Sequence, residues 1–316
     1  LSSSSAASDV YKRQTKYHGI IPALYACYDD DGRVDVRRTR HLARHLVDKG
    51  VRGLYVGGSS GECIYLEPQE RQETLEAVMQ EVGGECAVIA HVACNNTRRS
   101  YQLAAHAQRL GADAIASIPP IYFRLPEHAV AGYWNDISDA APDTDFILYN
   151  IPQLSGVALT LPLFLTMRKN PRVIGVKNSS LPAQDIQMFK HAGGEDCVIF
   201  NGPDEQFVSG QAIGADAGIG GTYGVMPELF LKMDALIWEN RFDEALPIQN
   251  AVNDIIAALC GCRANMYAVI KKVLEVREGL SLGSVRAPLS GLAPEDMPQV
   301  RRCADMIDRA ITAYAS

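Results

Sequence analysis

The sequence predicts an α/β fold, a (β/α)8 TIM barrel with a helical extension at its C-terminal end. Two observations carry that expectation. From His18 onward, short apolar runs alternate with helical patterns eight times, and eight strand–helix units in roughly 200–250 residues is the repeat of such a barrel. The glycine patterns of the rival doubly wound sheet, G-x-G-x-x-G and G-x-x-x-x-G-K-[ST], do not occur in the chain.

Taken in order, Gly19–Ala26 reads as the first strand. A helix over Val36–Lys49 follows, with Val36, Leu42, Ala43, Leu46 and Val47 at helical spacing. Gly53–Val56 is the second strand, and Pro68–Val82 a helix with Pro at its first position. Ala87–His91 and Arg98–Leu110 form the third pair, and Ala112–Ile118, ended by Pro119-Pro120, and Glu127–Ala140 the fourth. Phe146–Tyr149 precedes a helix over Leu161–Arg168, and Val173–Lys177 one over Ala183–His191. Cys197–Asn201 with Glu205–Ile213, then Ala217–Gly220 with Pro227–Glu239, complete the series. Gly50, Gly83, Gly111 and Gly193-Gly194 stand where helices close. Three further helical stretches, Asp243–Leu259, Asn265–Arg277 and Pro294–Ala313, make the extension.

Residues 15–240 are therefore assigned to the barrel and residues 241–316 to the helical extension. Residues 1–14 resemble translated adapter sequence joined to a reading frame. They carry neither the basic nor the apolar segment of a signal peptide, and are expected to be a non-native, disordered tail.

Composition narrows the function. At 47% hydrophobic and 21% charged the chain is an ordinary globular one, and no apolar run reaches the length of a membrane span. A net charge of −7 argues against nucleic acid or an anionic membrane as partner. Eight scattered cysteines, several inside apolar runs, fit reduced, core-packing thiols and a cytoplasmic location. Cys260-Gly261-Cys262 lacks the spacing of a metal site, and His41 and His45 lie among four arginines on what reads as a solvated basic face, so no metal is expected. Trp134 and Trp238 lie on helical patterns and read as packing.

In a barrel of this kind, chemistry sits where strands end. The sixth strand ends in Lys177, and an amine in an apolar setting loses its proton near neutral pH and becomes a nucleophile able to form an imine with a carbonyl substrate. The fifth ends in Tyr149, a phenol on the adjacent strand that can move protons. After the second strand, Gly57-Gly58-Ser59-Ser60-Gly61-Glu62 offers backbone N–H groups and hydroxyls to a small anion. After the seventh, Asn201-Gly202-Pro203-Asp204-Glu205 places two carboxylates suited to sugar hydroxyls, with helix capping as the alternative role of Asp204. His91 reads as a rim or core histidine held in a hydrogen bond.

Gly58-Ser59-Ser60-Gly61-Glu62, Tyr149-Asn150-Ile151-Pro152 and Gly175-Val176-Lys177 occur in the order and spacing of one family. From about His18 to the C-terminal helices the chain resembles the pyruvate-dependent Schiff-base aldolases of the dihydrodipicolinate synthase / N-acetylneuraminate lyase superfamily. Leu54–Ser59, Ile89–Val92, Asn201–Glu205 and Gly214–Tyr223 resemble the lyase branch, and Leu154 stands where the synthases carry an arginine for a dicarboxylate. The resemblance implies that Lys177 forms the imine with pyruvate, needing no other cofactor, while Tyr149 shuttles protons. It further implies that Ser59, Ser60 and Gly61 hold the carboxylate. Gly202, Asp204 and Glu205 would read the sugar chain, with Ser179 beside the lysine and Gly221 also in the substrate-binding set. Tyr122 would reach into a neighbouring subunit's site, which implies a homotetramer assembled as a dimer of dimers.

The implied reaction is cleavage of N-acetylneuraminate to pyruvate and N-acetylmannosamine, with a small-molecule sugar acid as the only partner besides other subunits. The alternatives are a related 2-keto-3-deoxy sugar acid aldolase, a 4-hydroxy-tetrahydrodipicolinate synthase, and a non-catalytic barrel that binds a keto acid. Three departures from the family's wording stand out. Ser59-Ser60 replaces its usual Ser-Thr, Tyr25-Ala26-Cys27-Tyr28 lies where Thr-Pro-Phe is common, and Gly221 replaces the lyases' serine, removing one hydroxyl from the substrate's reach.

Overall fold

The computed structural model describes residues 16–315; the expected tail over residues 1–14 lies outside them. Eight parallel strands form one sheet: β1 Gly19–Pro22, β2 Gly53–Val56, β3 Ala87–His91, β4 Ala114–Ser117, β5 Asp145–Asn150, β6 Val173–Asn178, β7 Val198–Asn201 and β8 Ala217–Gly220. Neighbours in sequence are neighbours in the sheet, and β8 pairs with β1. The remaining gap is bridged by Arg52 N–H to Ile20 O and Leu24 N–H to Tyr55 O, both 2.9 Å. The result is the expected (β/α)8 barrel.

The helices are α1 Val36–Asp48, α2 Pro68–Val82, α3 Thr97–Leu110, α4 Glu127–Asp139, α5 Pro152–Ser155, α6 Leu161–Met167, α7 Gln184–Gly193, α8 Phe207–Ala212, α9 Pro227–Trp238, α10 Phe242–Cys260, α11 Met266–Glu278 and α12 Met297–Tyr314. Their ends follow local chemistry. Asp35 caps α1 by accepting from Arg37 N–H and Arg38 N–H, and Gly111 closes α3 in the left-handed conformation. The first strand is shorter than Gly19–Ala26 because the chain beyond Pro22 turns its N–H groups to other partners: Leu24 to Tyr55 O, Ala26 to Ser60 O and Tyr28 to Leu282 O. The fourth starts at Ala114, not Ala112, because Ala112 N–H still bonds to Ala107 O of α3. Trp134 is core, as expected, but Trp238 is exposed and stacks on His18 with ring centroids 4.3 Å apart.

Strand residues alternate between two apolar layers. Ile21, Tyr55, Ile89, Ala116, Ile147, Phe200 and Ile219 fill the barrel interior, while Ile20, Leu54, Val88, Ile115, Leu148 and Ile199 pack outward against helices. With both faces buried, the strands read as continuous apolar runs.

β6 breaks the alternation at one point. Val173 and Val176 both face outward although they are three residues apart, and Ile174 faces inward. Phe146 of β5 pairs with Val173, but the next residue, Ile147, pairs with Gly175, so β6 carries one extra residue there. Such a bulge resets the period-two pattern downstream. Val176 is therefore directed outward, and Lys177, laterally paired with Tyr149 and Phe200, is directed into the barrel. An unbulged strand would carry Lys177 on the face of Val173, toward the helices.

The extension crosses back to the barrel mouth through α11. Two of its residues one helical turn apart reach the loop after β2: Tyr267 Oη accepts from Ser60 Oγ at 3.0 Å, and Lys271 Nζ donates to Glu62 Oε1 at 2.8 Å. Among the described residues, no helix is long and apolar enough to cross a membrane, and all eight cysteines are free thiols.

Backbone approach at the bulge leaves room only for glycine, since a Cβ on Gly175 would lie 1.8 Å from Val198 O. Gly175→Ala is expected to cost about 1–3 kcal/mol of stability. Chemical denaturation would read this as a lower midpoint; an unchanged midpoint would show that the β6–β7 pairing has slack.

Candidate active site

Lys177 is 4% exposed and held between two phenol rings, its Nζ 4.0 Å from the Tyr149 ring centroid and 4.2 Å from that of Tyr55. Burial pulls its pKa from 10.5 down to about 7, against Asp204 and Cys63, which favour the charged form. The two ring faces also favour a cation, so desolvation is the effect that wins. At neutral pH a large fraction of the amine is unprotonated and nucleophilic.

Tyr149 sits on the neighbouring strand at the same level. Burial pushes its phenol up to about 12, while hydrogen bonds with Ser59 and Ser179 pull the other way. The phenol thus keeps its proton at neutral pH and is a donor at rest. Tyr55 and His91 pack edge-on against it, with centroids 5.8 and 5.9 Å away. The ring of His91 meets Gly57 O through Nδ1 at 2.9 Å; burial, then Arg71 and Lys177, hold its pKa well below the usual value and keep it neutral. The residues just after the two reactive ones are joined: Asn150 Nδ2 donates to Asn178 Oδ1 at 2.7 Å, and Asn178 Nδ2 to Ser180 Oγ at 2.9 Å. This polar layer locks β5 to β6 directly above the phenol–amine pair.

Asp204 does not cap a helix. It starts a 3-10 turn, Asp204–Gln206, and its buried carboxylate accepts from Thr222 N–H and Thr222 Oγ1, both at 2.6 Å. Burial raises its pKa to about 6, opposed by those two bonds and by Lys177, so it is mostly ionised at neutral pH. Glu205, beside it, is exposed. Gly202 packs so closely on the sixth-strand exit that a Cβ would fall 2.0 Å from Ser179 Oγ, so its role is to let two strand ends meet.

The loop after β2 is bound from beneath. Ser59 is exposed at the mouth, whereas Ser60, Gly61 and Glu62 are buried. Glu62 adopts φ 52°, unusual for a residue other than glycine. It is held there by Lys271, by Tyr28 Oη at 3.0 Å and by Arg286 N–H at 2.8 Å. The Glu62–Lys271 pair is essentially sealed from solvent, and Lys271 also donates to Ser284 O at 2.7 Å.

The fold thus brings together Lys177, Tyr149, Ser59, Ser60, Gly61, Ser179, Gly202, Asp204 and Gly221 at the strand ends. Tyr122 is not brought there within one chain. It is 89% exposed at φ 85°, edge-on to Phe123. Sequence reasoning did not single out Tyr55, Tyr267 and Lys271 near these residues, and named Glu62 only as the last residue of the loop after β2. Tyr55 was legible as an interior position two residues before the glycine loop; Tyr267 and Lys271 lie on a distant helix and carried no motif.

A family model described as the dihydrodipicolinate synthetase family matches residues 16–307. The chain is 59% identical over 300 residues to an N-acetylneuraminate lyase of Mediterraneibacter gnavus, covering 95% of each chain. It is 33% identical over 289 residues to that of Citrobacter koseri, covering 92% of this chain and 96% of the relative. The solved structure of the wild-type sialic acid aldolase of Ruminococcus gnavus superposes with a TM-score of 0.94 at 59% identity, over 95% of this chain and 99% of that one.

Removing one member of the sealed pair leaves the other charged and unpaired. Lys271→Met is expected to cost about 3–5 kcal/mol, and adding Glu62→Gln to it to recover most of that loss. Urea denaturation of the single and double variants checks this; a single variant as stable as the parent would mean the pair contributes nothing.

Proposed function

The chain belongs to the dihydrodipicolinate synthetase family, and on that premise we propose that it is a Schiff-base lyase cleaving N-acetylneuraminate to pyruvate and N-acetylmannosamine. The observation that carries the reading is the amine of Lys177, brought to a pKa of about 7 beside a phenol on the next strand. The choice of substrate is supported by lyases of that name among the relatives, the nearer of the two at 59% identity.

The chemistry follows from the two groups. The neutral amine of Lys177 attacks the C2 ketone to give a carbinolamine. Tyr149, protonated at rest, gives its proton to the departing hydroxyl; water leaves and a cationic imine remains. The phenolate so formed faces that cation, which stabilises it. It takes the proton of the C4 hydroxyl as the C3–C4 bond breaks, the bond's electrons passing into the imine to give an enamine, and the C4 fragment leaves as the aldehyde of N-acetylmannosamine. Protonation at C3 and addition of water then release pyruvate and regenerate Lys177. No cofactor beyond the covalent imine is required by this route.

The Ser59 hydroxyl and the backbone N–H groups of Ser60 and Gly61 hold the carboxylate of the keto acid. Asp204 and Glu205 accept from the hydroxyls of the sugar chain, and Ser179 orients the Tyr149 phenol. Leu154, exposed where a dicarboxylate reader would need a cation, supports a polyhydroxy rather than a dicarboxylic substrate. The assembly we infer is a homotetramer, a dimer of dimers, in which exposed Tyr122 and Phe123 are covered by a neighbouring copy and Tyr122 meets that copy's site. Eight free thiols support a cytoplasmic setting.

Borohydride trapping with N-acetylneuraminate, read by peptide mass, is expected to leave a reduced adduct of pyruvate size on Lys177 and none in Lys177→Ala. An adduct from pyruvate but none from this sugar acid would retain the imine chemistry and discard the substrate. An adduct from neither would return the chain to a binding role.

A further inference from the structure

We propose that Tyr267 reads the substrate of this site: its phenol donates a hydrogen bond to a hydroxyl on the departing, polyhydroxy half of the sugar acid, from the space that Gly221 leaves beside β8. The proposal deepens the lyase reading and rests on it.

Gly221 follows β8 directly at the barrel mouth, and its backbone is fixed there because its carbonyl accepts from Tyr25 Oη at 2.8 Å. A Cβ built on Gly221 would stand 3.2 Å from Tyr267 Oη and 3.2 Å from Ser60 Oγ. The hydroxyl that the sequence lacks at this position is therefore supplied by a phenol from α11, and glycine leaves the room for it. Nothing in the motif-bearing loops announces this replacement, because Tyr267 is supplied by the extension.

The direction of its hydrogen bonds follows from its neighbours. Ser60 Oγ donates to Tyr267 Oη at 3.0 Å, so the phenol retains its own proton to give. Burial and the nearby Tyr149 and Asp204 keep it protonated. Tyr267 thus touches the serine loop, which takes the keto-acid end, and feels the charge of Asp204, which faces the chain end. Its position is rigid. The ring packs against Tyr25 with centroids 6.1 Å apart, and one turn further along α11 Lys271 is bonded to buried Glu62. A fixed donor discriminates, since a substrate lacking the matching hydroxyl leaves it unpaired in a partly buried place.

Tyr267→Phe removes only the hydroxyl and keeps the packing. Two reactions are compared: cleavage of N-acetylneuraminate, and exchange of the methyl protons of pyruvate for deuterium, which needs only the imine and enamine. We expect kcat/KM for cleavage to fall about tenfold with the loss confined to the sugar acid. Adding Gly221→Ser to that variant returns a hydroxyl to the same space and recovers part of the loss, whereas Gly221→Ser alone crowds two oxygens and lowers cleavage. An equal loss in both reactions would overturn the proposal, because the phenol would then act through Ser60 on the keto-acid end; no loss in either would overturn it as well. A parent enzyme that exchanges pyruvate but leaves N-acetylneuraminate intact would instead refute the substrate, and the same comparison is then made with a shorter 2-keto-3-deoxy sugar acid that it cleaves.

Discussion

The site depends on placing one amine where water does not reach it. Lowering the Lys177 pKa from 10.5 to about 7 corresponds to roughly 5 kcal/mol against its charged form, and the rest of the barrel sustains that disadvantage. The means is geometric. One additional residue between Val173 and Gly175 turns the strand over, so that a side chain that would face the helices faces the interior instead. The same turn brings it level with Tyr149, and the Asn150–Asn178 bond holds the two strands in that register. The amine and the phenol are thereby positioned by strand pairing, which is stiffer than a loop.

The remaining binding groups are on loops, and the extension stiffens the one that matters most. The turn after β2 is rich in small residues and has few side chains of its own with which to hold a shape. α11 supplies the anchor, gripping Glu62 through Lys271. The buried ion pair is an expensive way to fix a loop, and its position two residues after Ser60 explains the expense: it fixes the serine turn rather than the core. The helical extension therefore holds a loop of the barrel mouth in shape, even though none of the strand-end chemistry is written in it.

How much of this was legible follows from where each signal lies. The alternation of apolar runs and helices revealed the barrel because buried parallel strands and amphipathic helices differ in period. Lys177 and Tyr149 were legible because each closes an apolar run, where a polar group needs a reason. The bulge was not, since Val173 to Val176 is apolar on either register and only pairing shows which residue is extra. Asp204 was ambiguous because an acidic residue before a helix looks the same whether it caps that helix or accepts from Thr222 in the loop after β8. Tyr267 and Lys271 could not be placed because contacts over some two hundred residues, such as Glu62 to Lys271, leave no local pattern. Gly221 read as a loss; only the folded chain reveals the phenol beside it.

The most direct test of this account is the pH dependence of imine formation with pyruvate, followed by borohydride quenching over short times. A protonated amine cannot attack, so the rate should rise with pH through about 7 and then level, because the folded protein holds Lys177 at that value. A rate that climbs only as pH approaches the ordinary lysine value of 10.5 would show that the amine is solvated and charged at neutral pH, and the central claim would fail.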